Sequence, residues 1–207
     1  MENIIIIDFG MGNCWSVQNA LNFLGLKSEI SNNNEKISNS KCLILPGVGS
    51  FRKAMIRIKQ MKIDQSIKDS MKKKSKILGI CLGMQLLGNY SEEDGGSEGL
   101  SLVDNKVEIL TKNQEVKVPH VGFNSVQIPE NSLLFKNINN QSDFYFNHSY
   151  CMFQKSILKN MSTCVYGKTF IASFETKNIF GTQFHPEKSQ TNGLLLLKNF
   201  FSLIYKC

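Results

Sequence analysis

The stretch GICLGMQLL (79–87) restricts the fold more than any other part of the chain. An apolar run ends there and a helical pattern begins. A cysteine stands at the junction, with glycine two places before it and two places after. A chain that turns directly from strand into helix passes very close to itself, and the residue at the tip takes strained backbone geometry. Side chains two positions away on either side would collide, which leaves glycine. Gly79-Ile80-Cys81-Leu82-Gly83 therefore predicts a nucleophile elbow, the arrangement known with serine in G-x-S-x-G hydrolases. Read alone, the pentapeptide also fits a buried cysteine at a glycine-flanked strand end. On the elbow reading, Gly83→Ala leaves the fold largely intact and lowers turnover.

The segments before the elbow alternate in the way such a turn requires. NIIIIDFG (3–10) is a continuous β-branched run, as expected of a strand buried on both faces. CWSVQNALNFLG (14–25) reads as a helix with Val17, Leu21 and Leu24 on one face and Gly25 at its end. KCLILPGVGSF (41–51) reads as a second short strand entering a glycine-rich turn. Two helical segments follow, SFRKAMIRIKQM and DQSIKDSMKKK, and then KILGICLGMQLLGN as strand, turn and helix. Such alternation argues for a doubly wound α/β fold, a mostly parallel central sheet flanked by helices. Beyond about residue 100 the pattern becomes strands separated by turns: LVDNKVEIL, VKVPHVGFNSVQI, DFYFNHSYCMF, MSTCVYG, FIASFET and NIFGTQFHPE. An amphipathic helix, GLLLLKNFFSLIY (193–205), closes the chain. No linker, repeat or low-complexity segment divides it, so a single domain over residues 1–207 is expected.

Composition excludes several function classes. No apolar run approaches the ~18 residues of a membrane-spanning helix. The charge ahead of the first isoleucines is acidic and the run stops at Asp8, unlike a signal peptide, so a cytoplasmic protein is expected. Six cysteines, at 14, 42, 81, 151, 164 and 207, form no C-x-x-C pair and no cluster with histidine of zinc spacing. Reduced thiols, no metal and no organic cofactor are the expectation. The net charge of +7 draws on lysines in KDSMKKKSK (68–76), with no aromatic residues between them. These read as a solvated face, or as a surface for an acidic protein partner, rather than as a nucleic-acid site.

A nucleophilic thiol needs a base, and the base needs an orienting group. The chain has three histidines: His120, His148 and His185. His185 lies in GTQFHPEKS (181–189), with Glu187 two residues on. In extended chain, residues i and i+2 point to one side, and Pro186 fixes the backbone between them. Glu187 can then hold the imidazole while it faces Cys81. HPE alone could be a chance turn; downstream of the cysteine elbow it predicts a Cys81–His185–Glu187 triad.

Together these motifs resemble the class I (triad) glutamine amidotransferases, most nearly the glutaminase subunits of imidazole glycerol phosphate synthase. IIIIDFGMGN, LPGVGSF (45–51), GICLGMQLL, PHVGFNSV (119–126), YFNHSY (145–150) and GTQFHPEKS carry the resemblance in order along nearly the whole chain. It implies that Cys81 attacks the side-chain amide of glutamine, that His185 transfers the protons, and that Glu187 orients His185. It implies oxyanion donors at Leu82 and at Val48 and Gly49, where the peptide can point the wrong way at rest and the glycines permit a flip. Gln85, Ser149 and Tyr150 would hold the substrate. The family docks on a (β/α)8 cyclase as a heterodimer and passes it ammonia. Pro119, His120, Phe123, Asn124 and Lys188 match that contact surface, although His120 also fits a hydrogen-bonded loop histidine and His148 a support for its own strand. The family usually carries PHMGWN, YFVHSY and an arginine or similar residue in the first helix. Val121, Phe123, Asn147 and Trp15 depart from that pattern near the expected partner surface. The resemblance therefore implies either the histidine-biosynthetic cyclase as partner, or a paralogous pair that feeds ammonia to a third protein, a synthetase forming an amidine on a bacterial surface sugar.

Overall fold

The computed structural model describes residues 4–110, 116–153 and 160–204. Asn3, Tyr205 and Cys207, which belong to segments discussed above, lie outside the described residues. The first half runs β1 (Ile4–Ile7), α1 (Cys14–Phe23), β2 (Ser28–Ser31), α2 (Asn34–Asn39), β3 (Cys42–Gly47), α3 (Phe51–Gln60), α4 (Ile63–Lys72), β4 (Lys76–Cys81) and α5 (Leu82–Leu86). The second continues with β5 (Tyr90–Ser91), β6 (Ser97–Glu98), β7 (Lys106–Ile109), β8 (His120–Val126), β9 (Ser142–His148) and β10 (Tyr150–Met152). It ends with β11 (Met161–Tyr166), β12 (Lys168–Glu175), β13 (Ile179–Thr182) and α6 (Gln190–Ser202).

The central sheet has the order β11-β12-β13-β4-β3-β1-β2. Its β13-β4-β3-β1-β2 portion is parallel, and β11 and β12 add antiparallel pairs at one edge. The isoleucine run shows why such a strand needs no polar face. Ile4 and Ile6 enter the core with α1 and α6, while Ile5 and Ile7 enter the opposite core with α2, α3 and α4. All four are buried, as expected for a parallel strand covered on both sides.

Two elements of the first half were not anticipated. KCLILPGVG forms the third strand, not the second, because β2 and α2 come between. SEIS is a half-exposed edge strand with one apolar residue, and α2 buries only Ile37. Elements this polar carry no periodic signal. Asn33 caps α2 by accepting the Lys36 N–H at 3.0 Å. No helix among the described residues is long and apolar enough to cross a membrane.

Candidate active site

β4 runs into α5 with no intervening loop, and Cys81 sits at that junction with φ +54° and ψ −111°. This is positive-φ geometry that a side-chain-bearing residue adopts only under constraint. The flanking glycines supply the constraint. A Cβ on Gly79 would lie 2.7 Å from the backbone of Gly83 and Met84. One on Gly83 would overlap the carbonyl oxygen of Leu45, in the neighbouring β3. The expectation that Gly83→Ala leaves the fold intact therefore does not hold. The obstacle is the backbone of an adjacent, fully buried strand, not the elbow alone.

His185 follows β13, its backbone N–H bonded to the carbonyl of Tyr145 at 2.9 Å. Its Nδ1 lies 2.8 Å from Oε1 of Glu187, and both side chains are buried. The contact is made differently from expectation: Pro186–Lys188 is a single 3-10 turn, which brings Glu187 back under the imidazole. Burial alone would lower the His185 pKa, but the Cys81 sulfur and Glu187 outweigh it and raise it to about 10. Nε2 has no hydrogen-bond partner among the described residues, which leaves it open to serve the sulfur. The pair is thus disposed as imidazolium beside a reactive sulfur, oriented by a carboxylate.

A cavity of about 410 Å³ opens over Cys81. Its walls are Val48 to Ser50, Leu82, Gln85, Glu93, Pro119 and the Asn147–Tyr150 segment. The expected substrate residues Gln85, Ser149 and Tyr150 and the expected oxyanion residues Leu82, Val48 and Gly49 all meet there. Val48 N–H, however, donates to the Met11 carbonyl at 3.3 Å, and Gly49 has φ +96°. That donor is engaged elsewhere in this conformation. Gln85 is buried, and its Nε2 donates to the Tyr150 carbonyl at 2.7 Å and to Gln183 Oε1 at 3.0 Å.

Three groups at the site were not singled out from the sequence. Glu93 reaches the cavity wall, where Oε2 accepts the Phe51 N–H at 2.7 Å; burial raises its pKa against that hydrogen bond, and Asp94 raises it further. The acidic run EED (92–94) shortly after the elbow was its only sign. Gln183 places Nε2 3.7 Å from Cys81 Sγ. The Asn147 carbonyl also lies 3.7 Å from that sulfur.

The expected partner residues divide. Pro119 and Lys188 are exposed, Phe123 is 49% exposed, and Lys188 lies over the ring of Tyr145, which also meets Phe123 edge-on. His120 is not on that surface. It is buried, stacked between Tyr166 (3.9 Å) and Phe146 (4.8 Å), with Nδ1 3.1 Å from His148 Nε2. Asn124 turns inward as well, towards His120 Nε2 and the Val165 carbonyl. Burial lowers the pKa of His120 to about 4. Burial, then His120, lowers that of His148 to about 3. No group of histidine, cysteine, aspartate and glutamate able to hold a metal occurs among the described residues.

A sequence model of the family "Glutamine amidotransferase class-I" matches residues 5–204. The chain is 46% identical over 206 residues to imidazole glycerol phosphate synthase subunit HisH 1 of Parasynechococcus marenigrum, covering 98% of each chain. It is 43% identical to subunit HisH of Moorella thermoacetica, covering 99% of this chain and 96% of that one. Among solved structures, it is similar to PurLQS from Thermotoga maritima (TM-score 0.74, 17% identity, 99% of each chain). It is also similar to a glutamine amidotransferase from the same organism (TM-score 0.63, 15% identity, 97% of this chain and 81% of that one). At those identities the structural likeness speaks for the fold.

Proposed function

The chain belongs to the class-I glutamine amidotransferases, and on that premise we propose that it is the glutamine-hydrolysing subunit of an imidazole glycerol phosphate synthase in histidine biosynthesis. The observation that carries the reading is Cys81 at a strained elbow, under a cavity, with the buried His185–Glu187 pair beside its sulfur.

Cys81 Sγ attacks the side-chain amide carbon of glutamine with its proton already carried by His185. The tetrahedral oxyanion receives the Leu82 N–H and, once its peptide has turned from Met11, the Val48 N–H. Collapse breaks the C–N bond while His185 returns its proton to the leaving nitrogen, releasing ammonia and a glutamyl thioester. His185 then deprotonates a water that hydrolyses the thioester, and glutamate leaves. Glu187 fixes the imidazole throughout by accepting from Nδ1. The α-ammonium of glutamine suits the Glu93 carboxylate, and Ser149 and Tyr150 bound its backbone end. Gln85 supports that wall by tying down the Tyr150 carbonyl.

Residues 1–207 act as one glutaminase domain in the cytoplasm, a setting in which the buried thiols of Cys14, Cys42, Cys151 and Cys164 stay reduced. The partner is a (β/α)8 cyclase docked over Pro119, Phe123 and Lys188, which takes ammonia directly, before water protonates it. His120 and Asn124 support that surface from behind. Phe123 on the exposed face fits a second destination at least as well, a cyclase-like barrel that hands ammonia to a synthetase building an amidine on a surface sugar.

Glutamate release from glutamine, measured with a histidine-pathway cyclase with and without its nucleotide substrate, separates these readings. Strong activation that disappears in Cys81→Ala supports the histidine assignment. No activation, with a thioester still trapped on Cys81, moves the partner to the sugar branch. No adduct on Cys81 with a glutamine-analogue label, and no glutamate, would overturn the glutaminase reading.

A further inference from the structure

We propose that Gln183 is a further catalytic residue: its Nε2 is an obligatory hydrogen-bond donor to Cys81 Sγ, and Gln85 locks the amide in that orientation. The proposal rests on the reading of Cys81 as the nucleophile. Gln183 is fully buried just beyond the end of β13, two residues before His185, and its backbone N–H is anchored on the Ala172 carbonyl at 2.8 Å. Its side-chain amide lies between Gln85 Nε2 at 3.0 Å on one side and Cys81 Sγ at 3.7 Å on the other.

Which end of an amide faces which neighbour follows from its partners. Here one atom settles the whole chain. The Tyr150 carbonyl oxygen can only accept, and Gln85 meets it at 2.7 Å, so the Gln85 atom there is its NH2. That NH2 also meets Gln183, so the Gln183 atom facing it is the carbonyl oxygen. The NH2 of Gln183 is then the end that meets the sulfur. The Tyr150 carbonyl also accepts from His148 Nδ1 at 2.9 Å, so it is held from a second direction. A sulfur that loses its proton to His185 gains negative charge, and a fixed N–H beside it favours that form. The Asn147 carbonyl, also against the sulfur, favours the thiol. Gln183 is the contact that changes the balance towards attack.

The test reads the sulfur directly, without glutamine. Alkylation of Cys81 by iodoacetamide is followed by mass spectrometry across pH in the full chain and in three variants. Gln183→Met removes the donor and should raise the pH of half-maximal alkylation by about one unit, with kcat down about tenfold. Gln183→Glu puts an acceptor against the sulfur and should raise it further. Gln85→Met is the decisive variant. It adds neither charge nor acceptor, but it removes the N–H that fixes the Gln183 oxygen. The Gln183 amide can then turn over, and the alkylation midpoint should rise, by less than in Gln183→Met, although Gln183 itself is intact. Should a substitution at 183 prevent folding, judged by near-ultraviolet circular dichroism, Gln85→Met still decides. Midpoints within about 0.2 pH unit of wild type in the folded variants, with wild type active and labelled at Cys81, would overturn the proposal and leave the nucleophile assignment standing. Absence of both label and glutamate release in wild type would overturn the two together.

Discussion

The two glycines around Cys81 do different work, and the difference can be measured. Gly79 packs against the backbone of α5, which belongs to the elbow. Gly83 packs against Leu45 of β3, which belongs to the sheet. A Cβ at 83 can be accommodated only by moving β3, and β3 is buried on both faces. Gly83→Ala is therefore expected to lower stability by about 3 kcal/mol or more, read as a lower urea midpoint. An unchanged midpoint with lost turnover would return the glycine to a purely local role. At Glu187 the opposite separation is expected. Glu187→Gln keeps the volume but lets the amide offer an N–H where His185 Nδ1 needs an acceptor. Glutaminase kcat should fall by roughly 10²–10⁴ while the fold stays intact, because the turn at Pro186 does not depend on the charge.

At the level of elements, what was legible in the sequence followed the strength of its spacing. The elbow could be read because steric necessity leaves glycine alone at two fixed positions. Strands β1, β3 and β4 of the parallel sheet could be read because double burial demands unbroken apolar runs. β2 and α2 could not, since a half-exposed edge strand and a six-residue helix carry no such run. The misplacement of His120 was avoidable. In β8, burial alternates from His120 inward, through Val121 and Phe123 outward, to Val126 inward. Residues 120 and 123 are three apart and so fall on opposite faces. Gln183 and Glu93 were not legible, because each gains its meaning from partners far away in sequence. The PGVG strand end carries the prediction at this scale. Its resting state combines a Val48 N–H engaged by Met11 with φ +96° at Gly49. Alanine at 49 strains that state by about 1–2 kcal/mol, and so favours conformers with negative φ there. Gly49→Ala should raise glutamate release by the chain without partner by up to about tenfold. A fall in that release, together with lower stability, would mean that the working strand keeps the same φ.

Over the whole molecule, the three histidines set opposing pH limits. His120 and His148 are held neutral: Tyr166, Phe146 and Phe170 enclose His120, and the Tyr150 carbonyl fixes the His148 tautomer. Their folded pKa values, about 4 and about 3, lie below the ordinary 6.5. Between those limits the unfolded chain binds the additional protons, so stability falls as pH drops below about 6.5. His185 has the reverse sign. Raised to about 10 by Cys81 and Glu187, it contributes stability fully present below about 6.5 and lost as pH climbs towards 10. Above about 9 the buried thiols add to that loss, since burial raises Cys14 to about 11 and Cys164 to about 12. Urea midpoints should therefore peak near pH 6.5 and decline on both sides. Cys81→Ala discriminates the cause of the alkaline decline. It removes the sulfur that helps hold the imidazolium and leaves Glu187 alone against burial, so the loss between pH 6.5 and 9 should become shallower while the acid limb stays unchanged. Superimposable alkaline limbs in the two proteins would mean that Glu187 by itself sustains the charge on His185, and that the sulfur rests as a thiol until substrate arrives.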